Sequence, residues 1–203
     1  MAELHSDDHD HPRQQERRTG TLITLAPAAG TVSHLLRAAI DAEQVGATRI
    51  QLAADQQDLV AVIAGLRRST ALVITTEPDH PAAELVDRMP TDFTEIVLDE
   101  GPDDLDLVQD VLRITREHPG HVSLAGRGAA ALPVLFAALA VGAHLRVGTA
   151  DTPAGLAPRD LRADPGTVGR DDAALVARAS GMARLAGRPP LDGRAARAWW
   201  RVG

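Results

Sequence analysis

Short runs of β-branched and leucine residues alternate along the chain with longer segments whose apolar positions recur every three or four residues. The short runs predict six strands, at 21–27, 48–53, 71–77, 93–100, 121–126 and 144–149. The intervening periodicity predicts helices at 32–45, 58–68, 81–89, 105–118 and 131–142, with a further helix near 171–186. Strand followed by helix, repeated, is typical of parallel strands joined by right-handed crossovers. The pattern therefore predicts an α/β fold.

Such a pattern fits either an open doubly wound sheet or a (β/α) barrel. A dinucleotide-binding sheet would carry G-x-G-x-x-G after its first strand, and the sequence APAAGT at 26–31 does not supply it. The sequence GRG at 126–128 follows a predicted strand and opens a helix, a place where barrels often bind phosphate. It favours the barrel, although a tight glycine turn with an exposed arginine explains GRG equally well.

Arg146 interrupts the otherwise apolar strand HLRVGT. Because neighbouring side chains of a strand point to opposite faces, Leu145 and Val147 share one face and Arg146 the other. In a barrel the aliphatic face packs on the helices, which directs Arg146 into the interior, where a guanidinium needs an anionic partner. Asp151, just beyond the strand, is expected to be either that partner or a general base.

Composition and charge narrow the classes of function. The chain has 203 residues, 44% of them hydrophobic, only 2% aromatic, and a net charge of −7, which argues against nucleic-acid binding. It has no cysteine and no apolar run long enough for a membrane span, so we expect a cytoplasmic protein. Residues 1–18 are almost devoid of apolar side chains and predict a disordered tail before a single domain at 19–203.

The segment from Val122 to Asp151 resembles the signature region of the β-keto acid cleavage enzymes, the family of 3-keto-5-aminohexanoate cleavage enzyme. Members carry there a glycine–arginine turn, a small-residue helix with a proline, and G-G-[HN]-V-R-V-G-L-E-D, to which VGAHLRVGTAD is similar. Weaker similarity covers TLITLAPAAGT, EQVGATRIQLA, LVAVIAGLRRSTALVITTE and the last helices. The resemblance implies a TIM-type barrel, shortened here to about six parallel strands.

The resemblance also implies a zinc-dependent retro-Claisen reaction, in which a β-keto acid and acetyl-CoA give acetoacetate and a new acyl-CoA. The family holds its metal with H-x-H on the second strand and with the glutamate of L-E-D. Those positions correspond here to Gln51, Ala53 and Ala150, two of which have no donor atom. We therefore expect no metal cofactor. Arg146 and Asp151 are retained, as is the Thr-Thr turn at Thr75 and Thr76.

Three hypotheses follow from these residues. The first is a family member with lost or altered cleavage that binds a small carboxylate or an acyl-CoA. In its expected site, Arg146 and Asp151 form the catalytic pair, and the substrate is bound by Thr75, Thr76, Gly126, Arg127 and Gly128. The second is an enzyme with a relocated metal or metal-free acid–base chemistry, with Glu77, Asp99, Glu100 and Asp151 as candidate carboxylates. Of these, Asp99 and Glu100 are better explained as helix caps or loop acids.

The third hypothesis is an interaction protein or homo-oligomer. Six strands are two fewer than a full barrel needs, and we expect the missing units between Glu100 and His121. A shortened barrel closes more narrowly or leaves a strand edge that another chain can cover. The adjacent Trp199 and Trp200 would then pack on a partner, although docking on the chain's own barrel floor is the favoured alternative.

Overall fold

The computed structural model describes residues 20–77, 80, 82–101, 103–151 and 171–202. The predicted tail and the prediction that it is disordered lie outside these residues. All six predicted strands are present. They are β1 (Ile23–Leu25), β2 (Arg49–Gln51), β3 (Val73–Thr75), β4 (Phe93–Leu98), β5 (His121–Gly126) and β6 (His144–Val147).

The strands form one parallel sheet in the order β3-β2-β1-β6-β5-β4. The first strand pairs with the last, with Thr24 opposite Arg146, so the strands follow one another around a ring that is open only between β3 and β4. Side chains of β2 and β4 meet across the inside, because Arg49 bonds to Glu95 at 3.0 Å. The sheet is therefore a curled half-barrel, and the predicted α/β barrel-like fold class is confirmed.

The opening of the sheet is not where the sequence analysis expected missing units. Glu100 and His121 flank an ordinary crossover, because β4 and β5 are parallel neighbours joined by one helix. The irregular connection lies between β3 and β4, where the predicted helix at 81–89 is reduced to the 3₁₀ turn Ala83–Leu85. There Asp87 binds the edge of β3 through its backbone N–H and its side chain, both to Ile74.

In the described ranges, six helices accompany the strands: α1 (Val32–Val45), α2 (Leu59–Ser69), α3 (Asp104–Glu117), α4 (Ala131–Val141), α5 (Asp171–Leu185) and α6 (Gly193–Val202). Helix α1 begins at Thr31, whose side chain accepts a bond from the His34 N–H, and ends at Gly46 in the left-handed region. In α3, Leu107, Val111 and Ile114 are buried at helical spacing. None of the described helices is long and apolar enough to cross a membrane.

Helix α6 closes the floor of the half-barrel, at the amino ends of the strands. Trp200 is buried with Phe93, Leu22 and Val73, and its indole N–H donates to the carbonyl of Arg88 at 2.9 Å. Trp199 meets Phe93 edge-on, with the ring centroids 5.9 Å apart. Both tryptophans thus pack on their own chain, as the favoured alternative predicted.

Candidate functional site

The interior of the half-barrel contains a layer of polar side chains to which every strand contributes one. These are Thr24, Arg49, Thr75, Glu95, Ser123 and Arg146. The residues between them along the strands, such as Ile50 and Leu124, lie in the main apolar core shared with the helices. This alternation follows from the strand pleat, and it concentrates three charged side chains, those of Arg49, Glu95 and Arg146, inside the curl of the sheet.

Arg49 lies at the centre of this layer and is completely buried. Its Nη1 and Nη2 atoms donate to the two oxygens of Glu95, each at 3.0 Å. Its remaining N–H groups donate to the side chains of Thr75 at 2.8 Å, Gln51 at 2.9 Å and Thr24 at 3.3 Å. All five N–H donors of the guanidinium are thereby used, which is the condition for burying such a group.

Arg146 points into the same layer from β6 and is nearer the mouth. Its Nε and Nη2 donate to both oxygens of Asp151, at 2.7 and 3.0 Å, and its Nη1 donates to Gln51 at 2.9 Å. An oxygen of Glu95 lies 3.3 Å from the same Nη1. The predicted inward direction of Arg146 and its pairing with Asp151 are confirmed, whereas a catalytic role for either residue remains a prediction.

The pKa values of the two guanidiniums are shifted in opposite directions by their surroundings. Burial lowers the pKa of Arg49, and the charge and hydrogen bonds of Glu95 offset only part of that effect. Burial also acts to lower the pKa of Arg146, but the hydrogen bonds and charges of Asp151 and Glu95 outweigh it and leave the pKa above its ordinary value. Two arginines and two carboxylates form a network with no net charge.

The residues at the family's metal-ligand positions do not fit a divalent metal. The Oε1 atom of Gln51 accepts bonds from Arg49 and Arg146 at once, so a cation there would lie between two guanidiniums. Ala53 and Ala150 offer no donor atom. In the part of the chain that the structure describes, no three His, Asp or Glu side chains are grouped to hold a metal ion.

The two threonines of the Thr-Thr turn are both buried, and the hydroxyls of both form hydrogen bonds. The hydroxyl of Thr75 accepts from Nε of Arg49 and donates to the carbonyl of Ile50 at 3.3 Å. The hydroxyl of Thr76 donates to the carbonyl of Leu52 at 3.4 Å. Thr75 therefore supports the buried arginine, and the predicted role of both residues in ligand binding remains a prediction.

The glycine–arginine turn lies at the end of β5, where the sequence analysis predicted an anion-binding nest. A carboxylate does bind there, but it belongs to the chain: Oε1 of Glu100 accepts the backbone N–H of Ala129 at 2.8 Å and lies against Gly128. Gly128 has a positive φ of 57°, as the turn requires. Arg127 is half exposed and pairs with the exposed Asp99 at 3.0 Å.

The position of these acids agrees with the interpretation of Asp99 and Glu100 as loop acids and caps. Glu77, the remaining candidate of the metal-free enzyme hypothesis, is exposed after β3.

Gly126 of the turn lines a small cavity with Arg146 and Asp151. The cavity holds about 10 Å³ and has apolar walls from Ala131 and Leu135. It gives room for about one water molecule.

Sequence analysis missed Arg49, Glu95 and the orphaned Ser123. The signal was available, because the central inward position of each strand is polar, but of these six positions only Thr75 and Arg146 were predicted as site residues. The hydroxyl of Ser123 has no hydrogen-bond partner among the described residues although it is fully buried. It lies beside Glu95 in the register of β4 and β5.

Comparison with known proteins gives a match to a family and likenesses among solved structures. The beta-keto acid cleavage enzyme family matches residues 94–201, from β4 into α6 and slightly more than half of the chain. None of the curated proteins matches the sequence. Among solved structures, the chain is similar to (S)-3-O-geranylgeranylglyceryl phosphate synthase from Thermoplasma acidophilum, solved in complex with sn-glycerol-1-phosphate. The two are 14% identical, with 81% of this chain and 95% of that chain covered and a TM-score of 0.47. Values this low assign no ligand.

Proposed function

Because the chain belongs to the beta-keto acid cleavage enzyme family, we propose that it binds a small carboxylic acid through Arg146 without a metal and has lost the metal-dependent cleavage. One observation carries this proposal: Gln51, at the first expected metal-ligand position, is held between Arg49 and Arg146. A carboxylate is the natural partner of a guanidinium fork, and Arg146 is the more exposed of the two arginines of the interior network.

The chemistry of the cleavage supports the same conclusion. A retro-Claisen step develops negative charge on an enolate oxygen, which a divalent ion stabilises strongly. Here the two guanidiniums are already neutralised by Glu95 and Asp151. A neutral network supplies much less stabilisation to an enolate than an open metal ion does, so we expect the family reaction to be absent or very slow.

Charge at the surface favours a small acid over an acyl-CoA. An open cleft of about 810 Å³ beside the loops after β1 and β2 is the larger of the two described hollows, and Asp55 and Asp58 line it. Carboxylates in that position would repel the phosphates of a coenzyme. A cytoplasmic location remains part of the proposal and is suggested by the absence of cysteine.

The test combines turnover with thermal stability. With acetyl-CoA, zinc and a panel of β-keto acids, the chain should show no turnover above background. Acetoacetate alone should raise Tm in proportion to the logarithm of its concentration above Kd. The double variant Arg146→Met/Asp151→Ala, which removes both charges, should show no rise. Zinc-dependent turnover that disappears in Arg146→Ala would contradict the loss of cleavage, and an unchanged wild-type Tm would contradict acid binding.

A second candidate function is self-association through the open side of the sheet. Strand β4 pairs only with β5 among the described strands, so its other edge faces the opening. Exposed strand edges pair with other chains unless they are covered. Light scattering at several concentrations distinguishes this candidate: a dimer mass would support it, and a monomer mass at all concentrations would remove it.

A further inference from the structure

The fork of Arg146 already binds a carboxylate, and that carboxylate is the chain's own. The side chain of Asp151 is chemically an acetate group attached to the backbone, and it makes two parallel bonds to the guanidinium at 2.7 and 3.0 Å. Such bidentate geometry is what a free carboxylate would adopt on an arginine. The site is therefore built for a monocarboxylate and is filled from within.

We propose that Asp151 is an internal competitor: a short monocarboxylate of acetate or propionate size binds Arg146 by exchanging with the Asp151 side chain. This inference rests on the proposed function, which it deepens by naming the ligand size and the group that limits its affinity. The exchange conserves charge, since one carboxylate leaves the guanidinium and another replaces it.

The contacts of Arg146 with Gln51 and Glu95 keep its guanidinium in place when Asp151 leaves. Its Nη1 is held by Gln51 at 2.9 Å and lies 3.3 Å from Glu95, and neither contact involves Asp151. Glu95 itself is not exchangeable in the same way, because it bridges Arg49 and Arg146 from the middle of β4. Asp151 instead follows the strand, in the turn after Gly148.

The size of the ligand follows from the space around the pair. The cavity of about 10 Å³ next to Arg146 and Asp151 has apolar walls, including Leu135 and Leu175. Departure of the Asp151 carboxymethyl group would add the volume of an acetate to this cavity. The combined space fits the methyl or ethyl group of a short acid, with its carboxylate on Arg146 and its carbon end on the leucines.

Because Asp151 is attached to the chain, it competes with a free ligand for Arg146 at a high local concentration and so weakens the binding of that ligand. The tether gives Asp151 an effective concentration on the order of millimolar or higher at Arg146. A free acid must compete with that concentration. Removal of the Asp151 carboxylate should therefore tighten acetate binding, and we expect at least a tenfold decrease in Kd.

The experiment titrates acetate and propionate into the full chain by calorimetry, with sodium chloride at equal ionic strength as the salt control. Asp151→Ala should bind acetate at least tenfold more tightly than wild type. Its Tm should be lower than that of wild type without acetate and recover when acetate is added. Asp151→Asn, which keeps the shape but loses the charge, should lie between the two. The matched control Asp110→Ala removes a carboxylate from the exposed pair with Arg113 and should match wild type.

The outcomes separate the two proposals. If wild type binds acetate, Arg146→Met/Asp151→Ala does not, and both Asp151 variants bind no more tightly than wild type, the exchange is wrong and the proposed acid binding stands. If neither wild type nor any Asp151 variant binds acetate or propionate, the exchange is wrong, and the proposed acid binding is wrong as well only if acetoacetate also leaves the Tm of wild type unchanged. An Asp151→Ala chain that stays unfolded in acetate, together with an Asp151→Asn chain that binds no more tightly than wild type, also overturns the exchange.

Discussion

At the scale of single residues, the interior of this half-barrel depends on Arg49. A fully buried guanidinium is tolerated because five acceptors surround it, and Glu95 supplies two of them. Aromatic rings support it from below, since its guanidinium carbon lies 5.2 Å from the centroid of Phe93 and 5.1 Å from that of Trp200. Loss of the Glu95 carboxylate would therefore leave an uncompensated buried charge.

Glu95→Gln tests this dependence. We expect it to lower the free energy of unfolding by about 3–5 kcal/mol, because Arg49 would keep its charge without a counter-charge. Urea denaturation measures the change. The double variant Arg49→Met/Glu95→Leu, which removes both charges, should be markedly more stable than Glu95→Gln. If Glu95→Gln unfolds at the urea concentration of wild type, the pair does not support the interior.

The inward direction of Arg146 could be predicted from the sequence, whereas the pairing of Arg49 with Glu95 could not. Arg146 was predicted to point inward because a lone charged residue in an apolar strand marks the face that does not pack on the helices. The same rule applied to TRIQL and FTEIV would have found Arg49 and Glu95. Their pairing could not have been predicted, because it depends on how far the sheet curls to bring β2 and β4 together.

At the scale of elements, helix α6 is held by its aromatic face against the strand ends. Phe93 lies 5.1 Å from Trp200 between ring centroids, and the indole N–H binds the carbonyl of Arg88. The same carbonyl belongs to the segment that sequence periodicity predicted as a helix at 81–89. That segment is followed by Pro90, which disfavours a helical conformation of Met89, and its backbone groups bind β3 and α6 instead.

Trp200→Ala measures how much this docking stabilises the fold. We expect a loss of about 3–5 kcal/mol in the free energy of unfolding, since a large buried side chain leaves a cavity beneath Arg49. Guanidinium denaturation followed by circular dichroism gives the value. Leu185→Ala, at a residue that is 91% exposed, is the control and should stay within about 0.5 kcal/mol of wild type. Equal effects of the two substitutions would contradict the docking of α6.

At the scale of the whole molecule, the chain is a family member in which the ring of strands is open between β3 and β4. The number and the parallel direction of the strands followed from the alternation of strand and helix patterns. The place of the opening did not, because spacing along the chain does not show which strands are neighbours. The chain's own carboxylates bind both features that were expected to bind an external anion: Asp151 binds Arg146, and Glu100 binds the glycine–arginine turn.

The central claim is that this interior is completed by arginines and carboxylates and does not take a divalent metal. The most direct test is the zinc content of the untagged full chain. The three histidines among residues 1–18, His5, His9 and His11, are changed to Gln so that zinc can bind only to the rest of the chain. After equilibration with zinc and dialysis, mass spectrometry of the metal should find far less than one zinc per chain. One zinc per chain that is lost on Gln51→Ala would contradict the account.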